Sequence, residues 1–172
     1  IAHIKTLGGE RKYVEPAKGT VNPRVFIDRL AKKMPANVTV VADVGQNQIW
    51  TCTEYKFRKE GRLLTSGGMG TMGYSVPAAI GAKMADNSRA TVAICGDGAF
   101  QMSFMELATA VQFGVDIKVV VMTNNRLGMV RELQTNGYHD RQTAVFLDGS
   151  PDFIKLAEAY SIPAMRVYDD DT

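Results

Sequence analysis

The hydrophobic positions of this chain fall into short continuous runs. Such runs cover Val38 to Ala42, Leu63 to Thr65, Thr91 to Cys95, Ile117 to Met122 and Ala164 to Tyr168. They are rich in apolar and β-branched residues and lack the strict alternation of a strand with one wet face. The pattern therefore predicts strands that are buried on both faces, as in a parallel sheet.

Helical signals lie between these runs. Asn22 followed by Pro23 is a typical helix start, and the apolar stripe after it predicts a helix that ends near Pro35. Ser103 with Glu106 three residues later forms a capping box. Further helices are predicted at Pro77 to Ala85, Phe104 to Phe113 with a stop at Gly114, and Ser150 to Tyr160.

Strands that alternate with helices predict an α/β fold, a doubly wound parallel sheet with helices on both faces. Residues 1–19 are polar and read as a lead-in segment, and residues 20–172 form one domain. The chain begins without methionine and stops just after a predicted strand. We therefore expect it to be a fragment of a larger multidomain enzyme.

Composition narrows the function classes. Hydrophobic residues make up 45% and charged residues 22%, which is typical of a globular protein. The 20 basic and 18 acidic residues are interspersed and give a net charge of +2, so no basic stripe predicts nucleic-acid binding. No apolar run approaches membrane-spanning length. A cytoplasmic protein without a membrane partner is expected.

Cysteine and histidine offer little chemistry. Cys52 and Cys95 lie in apolar segments without a CxxC pair, and both are expected to be buried free thiols. His3 and His139 are too isolated to predict a zinc site or a nucleophile–base pair.

Chemistry-bearing residues follow two of the predicted strands. Asp97 comes directly after one strand and Asn124 after the next, so one βαβ unit places both at the same sheet edge. Carboxylate and carboxamide oxygens are the ligands Mg²⁺ prefers. We expect Asp97 to be a solvent-facing ligand, with the helix N-terminus capped by Ser103 beside it as an anion site. Alone, Gly96-Asp97-Gly98 is equally consistent with a structural turn.

A second candidate region is the glycine-rich loop, residues 66–73, which carries Gly67, Gly68, Gly70 and Gly73. Its glycines allow close approach to a ligand, and a tight surface loop is the alternative. The lysine of a P-loop is missing, and the pattern of a nicotinamide-binding turn is absent.

The motifs together resemble the acetolactate synthase family of thiamine-diphosphate enzymes. Gly96-Asp97-Gly98, followed about 27 positions on by Asn124, is similar to the thiamine-diphosphate signature. Residues 44–50 resemble the family's GQHQMW segment, residues 70–81 its GTMGYGLPAAIG segment, and residues 127–130 its LGMV segment. The resemblance covers residues 20 to 168.

This resemblance implies a thiamine-diphosphate-binding fold and a set of site residues. Asp97, Asn124 and the backbone carbonyl of Arg126 would be the Mg²⁺ ligands, and Met72 would support the bent cofactor. The full cofactor-binding set that it implies is Gly45, Gln46, Asn47, Gly70, Met72, Gly96, Asp97, Gly98, Ala99, Met102, Asn124, Arg126, Gly128, Met129 and Val130.

Two positions depart from the family pattern. Asn47 stands where many relatives have histidine, and Leu133 stands where biosynthetic acetolactate synthases carry a tryptophan that shapes the acceptor pocket. The acceptor 2-keto acid is therefore open. Another thiamine-diphosphate-dependent decarboxylase or carboligase, such as a glyoxylate carboligase relative, and a non-catalytic subunit-pairing domain are the alternatives.

The resemblance also implies partners. The activating glutamate belongs to the pyrimidine-binding domain of a partner subunit in a homo-oligomer, and FAD belongs to a middle domain. Pyruvate and a second 2-keto acid are the implied substrates, and a regulatory small subunit is a further partner. We expect the isolated chain to be inactive. We also expect an exposed apolar patch of Met69, Met72, Met102 and Met129 that faces the partner domain.

Overall fold

The computed structural model describes residues 15–169, so most of the predicted lead-in segment lies outside the described residues. The elements in chain order are α1 (Pro23–Lys33), β1 (Thr39–Ala42), α2 (Gln46–Glu54), β2 (Arg62–Thr65), α3 (Ser75–Ala85), β3 (Thr91–Gly96), α4 (Asp97–Phe100), a 3₁₀ turn (Phe104–Glu106), α5 (Leu107–Gln112), β4 (Lys118–Met122), α6 (Gly128–Gly137) and α7 (Phe153–Ala159).

The four strands form one parallel sheet in the order β2-β1-β3-β4. Successive residues of each strand face opposite sides of the sheet. Val40 packs with Ile27 of α1 on one face, whereas Val41 packs with Ala79 of α3 on the other. Because helices cover both faces, the prediction of a doubly wound α/β sheet is confirmed.

The strand order creates a switch point between β1 and β3. The chain leaves β1 for β2 on one side and leaves β3 for β4 on the other. Connections that diverge in this way open a crevice outside the carboxyl ends of the two strands, where α/β proteins bind ligands. The segments starting at Asp43 and Asp97 border this crevice.

Several local predictions are confirmed in detail. The Asn22 side chain accepts a hydrogen bond from the backbone N–H of Arg24 at 3.0 Å, and Pro23 opens α1. After α5, Gly114 adopts φ +59°. The Val115 N–H then bonds to the Ala110 carbonyl at 2.8 Å, which closes the helix with a Schellman-type turn.

Other helix predictions are wrong. The Ser103 side chain makes no capping bond, its hydroxyl is buried without a partner, and the predicted helix is split into the 3₁₀ turn and α5. Helix α7 begins at Phe153 rather than at Ser150, because Asp152 caps it. The helices α2 and α6 lie where no helix is predicted.

The predicted strand at Ala164 to Tyr168 is also wrong. Residues 163–168 are exposed and pair with no strand of the described sheet, so β4 ends the sheet on that side. Arg166 instead forms an ion pair with Asp152 at 3.0 Å. This contact ties the segment to the start of α7.

Cys52 contradicts the prediction of a buried thiol, because it lies on the exposed side of α2. Cys95 is buried in β3 as predicted. Between residues 15 and 169, no helix is long and apolar enough to cross a bilayer.

Candidate functional site

Asp97 is the central residue of the crevice. It follows β3 and opens α4, and its exposed fraction is only 1%, so the expectation of a solvent-facing carboxylate is wrong. Its Oδ2 accepts hydrogen bonds from the backbone N–H groups of Asn124 at 3.0 Å and Asn125 at 2.6 Å. Its Oδ1 accepts one from Gly98 at 2.9 Å. Asp97 therefore fastens the loop after β4 to the end of β3.

That loop, residues 123–127, is held on its other side as well. Leu127 N–H donates to the Val145 carbonyl at 2.8 Å, and Leu147 N–H donates to the Asn125 carbonyl at 2.9 Å. The Asn124 Oδ1 accepts from Arg126 N–H at 2.9 Å. The loop is thus fixed, with the exposed Asn124 next to the buried Asp97, as the βαβ argument predicts.

The start of α2 contacts the start of α6 across the crevice. Gln46 Nε2 donates to Glu132 Oε2 at 2.9 Å. A Cβ at Gly128 would lie only 2.1 Å from Gln46 Oε1, so a larger residue there would displace the Gln46 side chain. Gly128 and Glu132 are one turn apart on the same face of α6. Neither α6 nor the contact with Glu132 is predicted by the sequence, because nothing local marks a partner 86 residues away.

Asn47 bridges β1 and β3. It is buried, and its Nδ2 donates to the carbonyls of Asp43 at 2.8 Å and Ile94 at 3.1 Å. A Cβ at Gly45 would lie 2.5 Å from Asn47 Oδ1. The amide hydrogens of Asn47 are therefore used by the protein itself, which makes this residue mainly a link between the two strands.

Asp43 is a site residue that sequence reasoning misses. It is fully buried directly after β1. Its Oδ1 accepts from the backbone N–H groups of Val44 at 2.8 Å and Gly73 at 3.0 Å, and its Oδ2 accepts from Ser75 at 2.8 Å. The signal that could have found it is a carboxylate directly after an all-apolar strand, the same pattern that marks Asp97.

The glycine-rich loop therefore meets the crevice at its last residues. Met72 is half-buried, and its Cε would lie 3.5 Å from a Cβ at Gly98. Leu127 and Leu147 also cover Gly98, at 2.6 Å and 3.3 Å from the same point. The backbone at Gly98 is thus approached closely by three apolar side chains.

Most of the predicted cofactor residues line one open groove at this edge. Gly70 and Met102 do not. Gly70 lies in the exposed part of the glycine-rich loop, and Met102 is 55% exposed and packs behind Gly73. The predicted residues that share the groove are Gly45, Gln46, Asn47, Met72, Gly96, Asp97, Gly98, Ala99, Asn124, Arg126, Gly128, Met129 and Val130.

Burial raises the pKa of the Cys95 thiol, and the nearby Asp43 carboxylate raises it further, so Cys95 stays a neutral thiol. The Arg126 guanidinium stacks over the Phe146 ring at 4.6 Å. Among the described residues no cluster of three His, Cys, Asp or Glu side chains forms a ready-made metal cage.

Comparison with known proteins matches this architecture. The family described as "Thiamine pyrophosphate enzyme, C-terminal TPP binding domain" matches residues 43–172. The acetolactate synthase large subunit of Lactococcus lactis is 40% identical over 89% of this chain and 27% of its own length. The acetolactate synthase isozyme 3 large subunit of Escherichia coli is 40% identical over 86% of this chain and 26% of its own.

A third relative, the acetolactate synthase of Arthrospira platensis, is 47% identical over 73% of this chain and 22% of its own length. The chain thus spans about a quarter of the length of the curated relatives it matches. The matched residues include both strand-end aspartates, the loop after β4 and α6. The chain therefore belongs to the family of thiamine pyrophosphate enzyme C-terminal TPP binding domains.

Proposed function

We propose that this chain is the thiamine-diphosphate- and Mg²⁺-binding domain of an acetolactate synthase-like transferase. The enzyme decarboxylates pyruvate and transfers the two-carbon unit to a second 2-keto acid, in branched-chain amino acid biosynthesis. One observation carries the proposal: in a domain of this family, the buried Asp97 holds the Asn124 loop at the switch point of the sheet.

The proposed Mg²⁺ ligands are Asp97, Asn124 and the Arg126 carbonyl. An ionised carboxylate offers about four lone-pair positions. Asp97 uses three of them for backbone N–H groups, so one remains for a cation. All three ligands are hard oxygens, which suit an octahedral Mg²⁺ that is completed by phosphate and water.

The proposed diphosphate position lies against the N-terminus of α6. This helix has ten residues, begins at Gly128 and has no side chain capping it. Its first N–H groups lack intrahelical acceptors, and the positive end of the helix dipole favours an anion there. Gln46 contacts the same helix end and is in reach of the same ligand.

Thiamine diphosphate, when bound, supplies the carbanion chemistry of the reaction. The residues of this chain bind, orient and shield it. Met72 provides apolar surface beside Gly98 for the thiamine end, while Asp97 and the α6 N-terminus hold the phosphate end. The groove thus offers polar groups to the diphosphate end of the cofactor and apolar surface to its thiamine end.

We further propose the partners that the family resemblance implies. The pyrimidine-binding domain of a partner subunit completes the site in a cytoplasmic homo-oligomer. FAD occupies a middle domain outside this chain, and a regulatory small subunit binds the assembly. The length of the relatives supports further domains, since the chain matches about a quarter of each.

Product analysis of the full-length enzyme tests the proposal. With pyruvate, thiamine diphosphate and Mg²⁺ we expect 2-acetolactate to form together with CO₂, and we expect omission of either cofactor to abolish the reaction. CO₂ release with free acetaldehyde and no acetolactate would contradict the transferase assignment. Acetolactate formation without thiamine diphosphate would contradict the cofactor assignment.

Leu133 favours a second candidate function, that of another thiamine-diphosphate-dependent carboligase. Leu133 on α6 is 61% exposed and stands where the resemblance expects tryptophan. We predict that Leu133→Trp changes the ratio of products from mixed pyruvate and 2-ketobutyrate, because a larger ring narrows the acceptor pocket. Affinity for thiamine diphosphate should stay within about twofold, since Leu133 lies a full turn beyond the α6 N-terminus. An unchanged product ratio would refute the assignment of this position.

A further inference from the structure

Asp43 and Asp97 occupy equivalent places on neighbouring strands. Each directly follows a buried strand, each is at most 1% exposed, and each carboxylate accepts three backbone N–H bonds. Asp97 holds the loop that carries the proposed metal ligands. Asp43 holds a different segment, the end of the glycine-rich loop.

The bonds from Asp43 fix the loop on both sides of one bend. Gly73, with φ +82°, donates to Oδ1, and Ser75, the first residue of α3, donates to Oδ2. Met72 directly precedes the first of these anchors and lies over Gly98. A buried carboxylate with two such long-range donors sets the position of the chain segment between them more firmly than exposed loop contacts do.

We infer that Asp43 is a positioning residue that fixes Gly73 and Ser75 and thereby holds Met72 against the thiamine end of the site. This inference rests on the proposed function, because it assigns a role toward the same cofactor. The three backbone bonds of the Asp43 carboxylate go to Val44, Gly73 and Ser75, whereas the proposed diphosphate position is at Gln46 and the start of α6. Loss of the Asp43 carboxylate should therefore affect the two ends of the cofactor differently.

The test compares two probes in the full-length enzyme by calorimetry, Mg²⁺ with thiamine diphosphate and Mg²⁺ with inorganic diphosphate. In Asp43→Asn, the new amide N–H₂ group cannot accept hydrogen bonds from the backbone N–H groups that it faces. The end of the glycine-rich loop therefore loses one of its hydrogen bonds to this side chain. We expect affinity for thiamine diphosphate to fall about tenfold, because Met72 no longer holds its apolar surface against the thiamine end. Affinity for inorganic diphosphate should fall by less than about twofold, because only the Val44 bond lies near Gln46.

Asp86→Asn is the matched control. Asp86 also accepts a backbone bond, from Ser88 at 3.2 Å, but it lies at the opposite end of α3 and away from the crevice. Both affinities should match those of the wild type. If Asp43→Asn does not fold, Gly73→Ala tests the same loop, because its Cβ would meet that of Met102 at 3.0 Å at a left-handed backbone position.

The outcomes separate the two proposals. A selective loss of thiamine diphosphate affinity supports the positioning role. A parallel loss of both affinities, or no loss of either, overturns it and leaves Asp43 a structural residue. A wild-type enzyme that binds neither probe contradicts the proposed function itself.

Discussion

At the residue scale, the site depends on a few close approaches that only small side chains permit. Gly128 is the clearest example, because any Cβ there would collide with Gln46 Oε1. The same side chain reaches Glu132, so Gly128, Gln46 and Glu132 together join α2 to α6. The absence of a side chain at Gly128 therefore leaves room for Gln46 at the α6 N-terminus.

We predict that Gly128→Ala weakens thiamine diphosphate binding at least about tenfold, because Gln46 must leave its position beside the proposed diphosphate site.

Gly81→Ala is the matched control. Gly81 lies on the exposed side of α3, and no atom lies within 4 Å of the point that an added methyl group would occupy. This variant should therefore gain about 0.5–1 kcal/mol of stability. Calorimetric titration and thermal unfolding measure the two effects. Equal affinity in both variants would contradict the prediction.

Sequence reasoning finds site residues that carry their own signal and misses those defined by contact. Asp97 and Asn124 follow apolar strands at a recognisable spacing, and the structure brings them together. The contact of Gln46 with Glu132 and the anchoring of Gly73 by Asp43 join distant segments. Such pairings are set by the packing of whole elements, so local patterns do not reveal them.

At the element scale, the strands are predictable and several helices are not. The central strands β1 and β3 are apolar runs buried on both faces of the sheet, whereas the edge strands β2 and β4 are only partly buried. The helices α2 and α6 begin at Gly45–Gln46 and Leu127–Gly128, without a capping side chain. Their starts resemble loops, and tertiary packing rather than local propensity makes them helical. Residues 164–168 are the opposite case. Their sequence predicts a strand, but they pair with no strand of the described sheet.

Substitutions at Asn22 and Ser103 test which of the two predicted helix caps stabilises the protein. Asn22→Ala should cost about 1 kcal/mol of stability, because the Asn22 side chain satisfies two N–H groups at the start of α1. Ser103→Ala should raise stability by about 1 kcal/mol, because it removes a hydroxyl that is buried without a hydrogen-bond partner. Urea unfolding of both variants checks this. A loss of about 1 kcal/mol of stability in Ser103→Ala would instead support the predicted capping box.

At the scale of the whole molecule, the four methionines of the expected apolar patch differ in exposure and in their position relative to the groove. Met69 is 90% and Met102 55% exposed, whereas Met72 and Met129 are half-buried. Two of the four methionines in the expected patch thus face outward and two line the groove side. Exposed apolar side chains of this kind are expected where a second domain covers the surface.

We predict that the isolated chain has no measurable acetolactate-forming activity, even with thiamine diphosphate, Mg²⁺, FAD and pyruvate. The reaction requires groups on both sides of the cofactor, and this chain provides one side. The measurement is product formation by the isolated chain against an equal concentration of the full-length enzyme. Turnover by the isolated chain would overturn the proposal of a site shared between domains.

The edge formed by Asp97 and Asn124 is proposed to bind Mg²⁺ and the diphosphate, and Asn124→Ala removes one of the proposed ligands. The Asn124 side chain is exposed and makes one local bond, so its loss should cost only about 1 kcal/mol of stability. Asn136→Ala, at an exposed position on α6, is the control. Calorimetric titration of the full-length enzyme with Mg²⁺ and thiamine diphosphate should show affinity at least about tenfold weaker in Asn124→Ala and unchanged in Asn136→Ala. Equal affinities in the two variants would contradict the account.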